Sequence, residues 1–319
     1  MIKDEETSGG AWERELVSRL AMAAVKEQRR ARRWGIFFKL LTFAYVSLLL
    51  VMLVDWEKRA ELASGKKHTA MVEVSGLIGP GTDASAEKVT LALQAAFKDK
   101  NTQGVVVRIN SPGGSPVQAQ TIYDEMRRLR KKYPDIPLYA VVEDIAASGG
   151  YFVAAGADRI YVAKSSIVGS IGVLMNGFGF TGLMDKLGIE RRLITAGENK
   201  GLLDPFSPMA EKDVEHIKQM MGEIHQQFIG VVREGRGTRL KEAPDIFSGL
   251  VWTGQKSIDL GLADAIGSLE SVARDVIKAE EIVDYTQKEN IAEKVAKRFG
   301  VGAATAVLEF AARTLPQVR

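Results

Sequence analysis

Residues 105–142 read VVVRINSPGGSPVQAQTIYDEMRRLRKKYPDIPLYAVV, and three kinds of pattern follow one another within them. Val105 to Ile109 is a compact β-branched run, the kind that fills a buried strand. It stops at Asn110-Ser111-Pro112-Gly113-Gly114, which continues neither strand nor helix easily. From about Val117 to Lys132, Ile122, Met126 and Leu129 recur on one face while Arg127, Arg128, Arg130 and Lys131 take the other, which predicts an amphipathic helix. Pro134 and Pro137 bracket its exit, and Leu138 to Val142 supplies the next strand. This alternation of strand and helix predicts an α/β layered domain.

Working outward, Met71 to Val74 reads as an earlier strand, followed by a turn region with Gly76, Gly79 and Gly81 and a helix over about 86–97. Further expected strands are Arg159 to Val162, Val168 to Val173 and Ile189 to Thr195. A long helix is expected from Ala210 to Val232. Residues 254–280 predict a short helix, a turn at Gly261, a brief strand near 262–266 and a helix after Ser268. Glu289 to Leu315 has the pattern of a helix interrupted near Gly300 and Gly302. No repeat of domain-building length is visible, so the body is expected to be one unit.

At the other end, Gly35 to Val54 (GIFFKLLTFAYVSLLLVMLV) carries a single charge, Lys39. About 20 residues at about 1.5 Å each match a bilayer core of about 30 Å, and Trp34 and Trp56 flank the segment as interfacial residues do. Lys26, Arg29, Arg30, Arg32 and Arg33 precede it against one acid, Glu27, so the positive-inside rule predicts a cytoplasmic N-terminus and an exported body. The expected organisation is a basic cytoplasmic arm (1–34), a transmembrane helix (35–54), a polar linker (55–69), a catalytic domain (70–285) and a C-terminal helical extension (286–319).

Composition narrows the chemistry. The 319 residues include no Cys, which excludes thiol catalysis, Fe–S clusters and cysteine zinc sites. The three His, at 68, 216 and 225, are scattered and leave little material for a metal centre. A formal charge of +3 is too small to imply nucleic-acid binding.

Two glycine loops follow strands, 110–115 and Ala146-Ala147-Ser148-Gly149-Gly150-Tyr151, and strand ends are where open α/β folds place ligands. Ser148 stands directly before a predicted helix, Gly149 to Gly156, whose first amides could bind charge developing on a carbonyl oxygen. Gly114 could offer a further amide, since a missing side chain permits close approach. No GxSxG elbow is present and no His has catalytic context, so the base for a serine nucleophile would be a lysine. A lysine serves only where burial leaves it neutral. Lys200, in the loop Gly197-Glu198-Asn199-Lys200-Gly201 ahead of the apolar Leu202-Leu203, is the candidate; Lys67 and Lys88 match the SxxK spacing only in linker and helix contexts. Helix capping or tight packing at Ser148 is the alternative on spacing alone.

The strings RINSPGGS (108–115), DIAASGGYFVAAGADRIYVA (144–163), SSIVGSIGV (165–173), GENKGLLDPFSPM (197–209) and TGQKSIDLGLADAIGS (253–268) resemble the bacterial signal peptide peptidase A family of membrane-anchored serine proteases, half-length members included. The GEN string is also similar to that of the SohB-type relatives. The resemblance implies a crotonase/Clp-like fold of ββα units with an N-terminal transmembrane helix. It implies a Ser/Lys dyad of Ser148 as nucleophile and Lys200 as general base, with Ser170 orienting the lysine amine and Gly114 donating an oxyanion amide. It further implies degradation of remnant signal peptides through an acyl-enzyme, without cofactor or metal. The expected assembly is a homo-oligomeric ring, with an octamer as candidate size, in which Ser148 of one protomer meets Lys200 of the next. The expected location is the inner membrane, with the lipid bilayer and apolar peptides as partners. A crotonase-like acyl-CoA enzyme and a noncatalytic membrane scaffold are the competing readings.

Overall fold

The computed structural model describes residues 6–52, 65–241 and 243–287. The chain divides into two units, one holding the N-terminal helix and the other the body, 58–289. Helix α1 (Glu6–Met52) is continuous for 47 residues, about 70 Å at 1.5 Å per residue, so the basic arm and the apolar segment share one helix. Ile36, Phe37, Phe38, Leu40, Leu41 and Phe43 on it are all exposed. Among the described residues no helix is long and apolar enough to cross a membrane. The expected span ends at Val54, outside the described residues, as does the helix expected over 289–315.

The body is built on one sheet of eight strands: β1 (His68–Ile78), β2 (Thr102–Gly114), β3 (Leu138–Ala147), β4 (Arg159–Val162), β5 (Ile167–Gly169), β6 (Val251–Thr253), β7 (Ala265–Ile266) and β8 (Ile282–Asp284). The main order is β6-β5-β3-β2-β1-β8, with β4 beside β3 and β7 beside β4. Every pairing is parallel except β5 with β6. One edge of β3 is divided: residues 139–142 pair with β4 and residues 145–147 with β5. The α/β layering expected from the sequence is thus present, in a mixed sheet.

Among the described residues the body's α-helices longer than one turn are α2 (Ala86–Lys98), α3 (Pro116–Lys132), α4 (Gly149–Ala154), α5 (Thr181–Leu187), α6 (Glu211–Arg236) and α7 (Gly254–Asp259). The valine run of β2 shows why the layers form. Val105, Val107 and Ile109 enter the main core with Leu93 and Phe97 of α2 and Ile122, Met126 and Leu129 of α3. Val106 points the other way, to a smaller cluster with Met71, Val141, Tyr161, Leu269 and Val272. Each fully buried side chain of this size contributes about 1.5–3 kcal/mol. Farther along the second face the apolar cover ends. There Arg108 pairs with Glu73 at 3.0 Å and Glu143 at 3.6 Å.

Where the chain enters and leaves the body, a polar clasp joins β1 to the segment after β8. The Tyr285 hydroxyl donates to Asp99 at 2.8 Å and lies 3.0 Å from Nε2 of His68, and the two rings stack. His68 is therefore a buried structural residue, as its lack of catalytic context suggested.

Three local expectations need correction. Ile189 to Thr195 is irregular, following the end of α5 at left-handed Gly188. The outer edge of β5 is already occupied by β6, and Ile189, Leu193 and Ile194 are exposed. The strand expected over 168–173 stops at Gly169, because Ser170 turns to a positive φ of 53°. After Ser268 the helix is one capped turn, Leu269–Ser271, continued by a π-type segment, Val272–Ile277.

Candidate active site

The site grows from the carboxyl ends of β2, β3 and β5, which parallel pairing brings to one end of the sheet. At the end of β2, buried Ser111 donates to the Gly76 carbonyl at 2.6 Å and accepts from the Gly113 amide at 3.1 Å. These bonds fix the turn into Gly113 and Gly114, whose φ angles of 107° and 148° suit glycine alone. Space makes the same demand. A Cβ at Gly113 would lie 2.7 Å from both the Gly149 nitrogen and the Ser148 Cβ, and one at Gly114 would lie 2.1 Å from the Ile78 carbonyl oxygen. The Gly114 nitrogen stands 3.2 Å from where a Cβ of Gly149 would be, so the two glycine loops meet backbone to backbone.

Ser148 is the junction between β3 and α4, with φ 51° and ψ −124°. That backbone is costly for a non-glycine residue, by about 1–3 kcal/mol, and such strain gathers at functional sites. Its amide donates to the Gly169 carbonyl at 2.9 Å, and its side chain makes no helix-capping bond. The capping alternative thus fails; Ser148 is half-buried, with its Cβ packed against the Gly113 backbone. Ala147 and Gly169 are register partners, so Ser148 and Ser170 are the next residues on adjacent strands. Both leave the sheet with a left-handed φ, 51° and 53°. The Ser170 amide donates to Leu250 at 2.7 Å.

Three of the four expected site residues, Gly114, Ser148 and Ser170, therefore converge. Lys200 is not tied to them: it is exposed, in a series of turns where its amide donates to Gly197 at 3.1 Å. No hydrogen bond joins it to Ser148 within one chain, among the described residues. It belongs to an arm, residues 172–210, closed on itself by Phe180 stacked on Phe206 and by Arg191 paired with Asp204. The arm exposes large apolar side chains among its charges, with Leu174 80%, Phe178 83% and Ile194 95% exposed.

Behind the nucleophile lies a buried support. Tyr151 of α4 donates its hydroxyl to the Leu262 carbonyl at 2.8 Å, and burial pushes its phenol far above the ordinary range, so it remains a donor. The 261–264 segment is fixed in turn by Arg236, 1% exposed, which donates to Gly261 and to Asp264, both at 2.8 Å. Burial would raise the Asp264 carboxyl. The bonds and charge of Arg236, with the Ile160 amide and Arg239, outweigh it and hold the group below the usual carboxylate range. Sequence reasoning missed Gly113, although its Gly-Gly pair was the available signal, and it missed Ser111 altogether.

The chain matches Peptidase family S49 over residues 130–283 and the Clp protease family over residues 70–169. It is 32% identical over 269 residues to "Putative protease MJ0651" of Methanocaldococcus jannaschii, covering 80% of this chain and 85% of that protein. It is 28% identical over 238 residues to "Putative signal peptide peptidase SppA" of Enterococcus faecium, covering 72% of this chain and 69% of the relative. Over 209 residues it is 44% identical to a protein of Brucella abortus named "Na(+)/H(+) antiporter NhaA", covering 64% of this chain but only 28% of that much longer protein. The fold and the site thus define an α/β protein of the Clp protease class. The chain belongs to peptidase family S49, the signal peptide peptidase A-type family.

Proposed function

We propose that this chain is a membrane-anchored serine endopeptidase that degrades apolar peptides, remnant signal peptides among them. The observation that carries the reading is the strained, uncapped Ser148 set against two glycine-loop backbones. In the proposed cycle Ser148 Oγ attacks the peptide carbonyl carbon and its proton passes to neutral Lys200 Nζ. The amides of Gly114 and Gly149 hold the resulting oxyanion. Collapse breaks the C–N bond, and the departing amine takes the proton from Lys200. A water, deprotonated by the same lysine, then releases the acyl group as acid. Ser170 orients the lysine amine.

A lysine base needs cover from water, and Lys200 is exposed among the described residues of one chain. The exposed apolar arm that bears it has the composition of a surface meant for another copy. The functional unit in this reading is therefore a homo-oligomeric ring whose protomers share sites. The anchor is the segment 35–54, helical with exposed apolar side chains through its described part and preceded by basic residues. It puts the N-terminus in the cytoplasm and the body outside the bacterial inner membrane.

The test is hydrolysis of an apolar fluorogenic peptide together with labelling by a fluorophosphonate. Wild type should label once per chain on Ser148, and S148A should lose both labelling and cleavage. Cleavage retained by pure S148A would refute the nucleophile. Thioester turnover without peptide cleavage would favour the crotonase-like reading instead.

A further inference from the structure

The turn Gly169-Ser170-Ile171 is gripped from three sides. The Ser148 amide donates to the Gly169 carbonyl at 2.9 Å, and the Ser170 amide donates to Leu250 at 2.7 Å. The third contact comes from a side chain: Nε2 of His225 lies 3.1 Å from the Ile171 carbonyl. A carbonyl only accepts, so the imidazole donates through Nε2. His225 is half-buried on α6, one turn before Phe228 and Ile229 enter the core. From that fixed point it reaches the residue next to Ser170, itself a strained non-glycine position.

We propose that His225 is a positioning residue for the peptidase site, holding the 169–171 turn in the left-handed conformation that keeps Ser170 beside Ser148. This inference rests on the peptidase reading above. The strain at Ser170 favours relaxation toward an ordinary backbone angle; its amide bond to Leu250 and the buried Ile171 side chain hold the turn but leave the Ile171 carbonyl without a tie of its own. The imidazole bond fixes that peptide. Because Gly169 also accepts from the Ser148 amide, a turn that relaxes shifts the nucleophile as well as its neighbour. The contact also joins the turn to the helix that follows the Lys200 arm.

The test uses the full-length protein in detergent, with H225L removing the donor, H225N keeping polarity but falling short of the carbonyl, and H225Q restoring an N–H at about the Nε2 position. H225L and H225N should lower kcat about 10–100-fold with KM nearly unchanged, and H225Q should recover most of the loss. The rate of fluorophosphonate labelling at Ser148 should follow kcat, while the thermal midpoint of H225N stays near that of wild type. Wild-type kcat in H225L or H225N overturns the proposal, as does H225Q damaged equally to H225N. S148A run alongside separates the two failures: cleavage surviving in S148A removes Ser148 as the nucleophile and with it the site that His225 would position, whereas cleavage lost in S148A but intact in H225N removes only the role of His225.

Discussion

At the scale of single residues, the buried pair behind Ser148 makes a prediction whose sign is fixed. Asp264 titrates below its ordinary range in the folded chain because Arg236 and the Ile160 amide outweigh the burial that would raise it. A depressed carboxylate adds stability above its unfolded pKa of about 3.9, and that stability is lost as pH falls through the lower folded value. D264N leaves the Arg236 guanidinium buried without its countercharge and should cost about 3–5 kcal/mol near neutrality. Urea unfolding from neutral pH to about pH 3 checks both points: the gap between wild type and D264N should narrow toward the acid end. An equal gap at every pH would show that Asp264 is not the titrating group. Gly114 and Ser148 were legible in the sequence because glycine pairs and small residues after strands leave a local trace, whereas Ser170, inside an expected strand, was marked only by the resemblance. His225 was not legible, since its partner is a backbone carbonyl 54 positions away and no side-chain pattern records such a bond.

At the scale of elements, the legible parts were those whose apolar residues repeat with the period of one structure. The valine run of β2 and the stripe of α3 are of that kind, and both lie in the core. Strands β6 and β8 have three residues each and carry no periodicity long enough to detect. The run 189–195 misled for a physical reason: its β-branched residues promised burial, but the outer edge of β5 is taken by β6 and the run lies exposed. We expect that burial to occur against a second copy. The double variant F178K/I194K places charge on the two most exposed apolar positions of the arm. It should shift the assembly toward monomer in light scattering and abolish cleavage, with the thermal midpoint of the body within a few degrees of wild type because surface substitutions cost only about 0.5 kcal/mol. An intact assembly in that variant would show that the arm is not the contact.

At the scale of the whole molecule, the separation of Lys200 from the convergent Ser148, Ser170 and Gly114 has a direct consequence for mixtures. S148A and K200A should each be inactive alone. Co-assembled, a protomer bearing an intact Ser148 can meet an intact Lys200 from its neighbour. At equal proportions about one junction in four would then be complete, so cleavage should return to roughly a quarter of wild type if neighbours mix at random. A well-mixed assembly with no activity would mean that each site is completed within its own chain. Among these features, the layered body could be read from the sequence because burial is written in local periodicity. Assembly could not, because an exposed apolar surface and a buried one use the same residues.

The ladder between β3 and β5 sets the spacing of the two serines before the chain departs into its long excursion toward Lys200. Insertions or deletions upstream of Ser170 would put that alignment out of phase. Those placed farther out, between 172 and 210, would leave the two serines in step and shift instead where Lys200 is presented. The architecture thereby fixes the nucleophile on the rigid sheet and leaves delivery of the base to the outer segment, whose length must suit whatever it reaches.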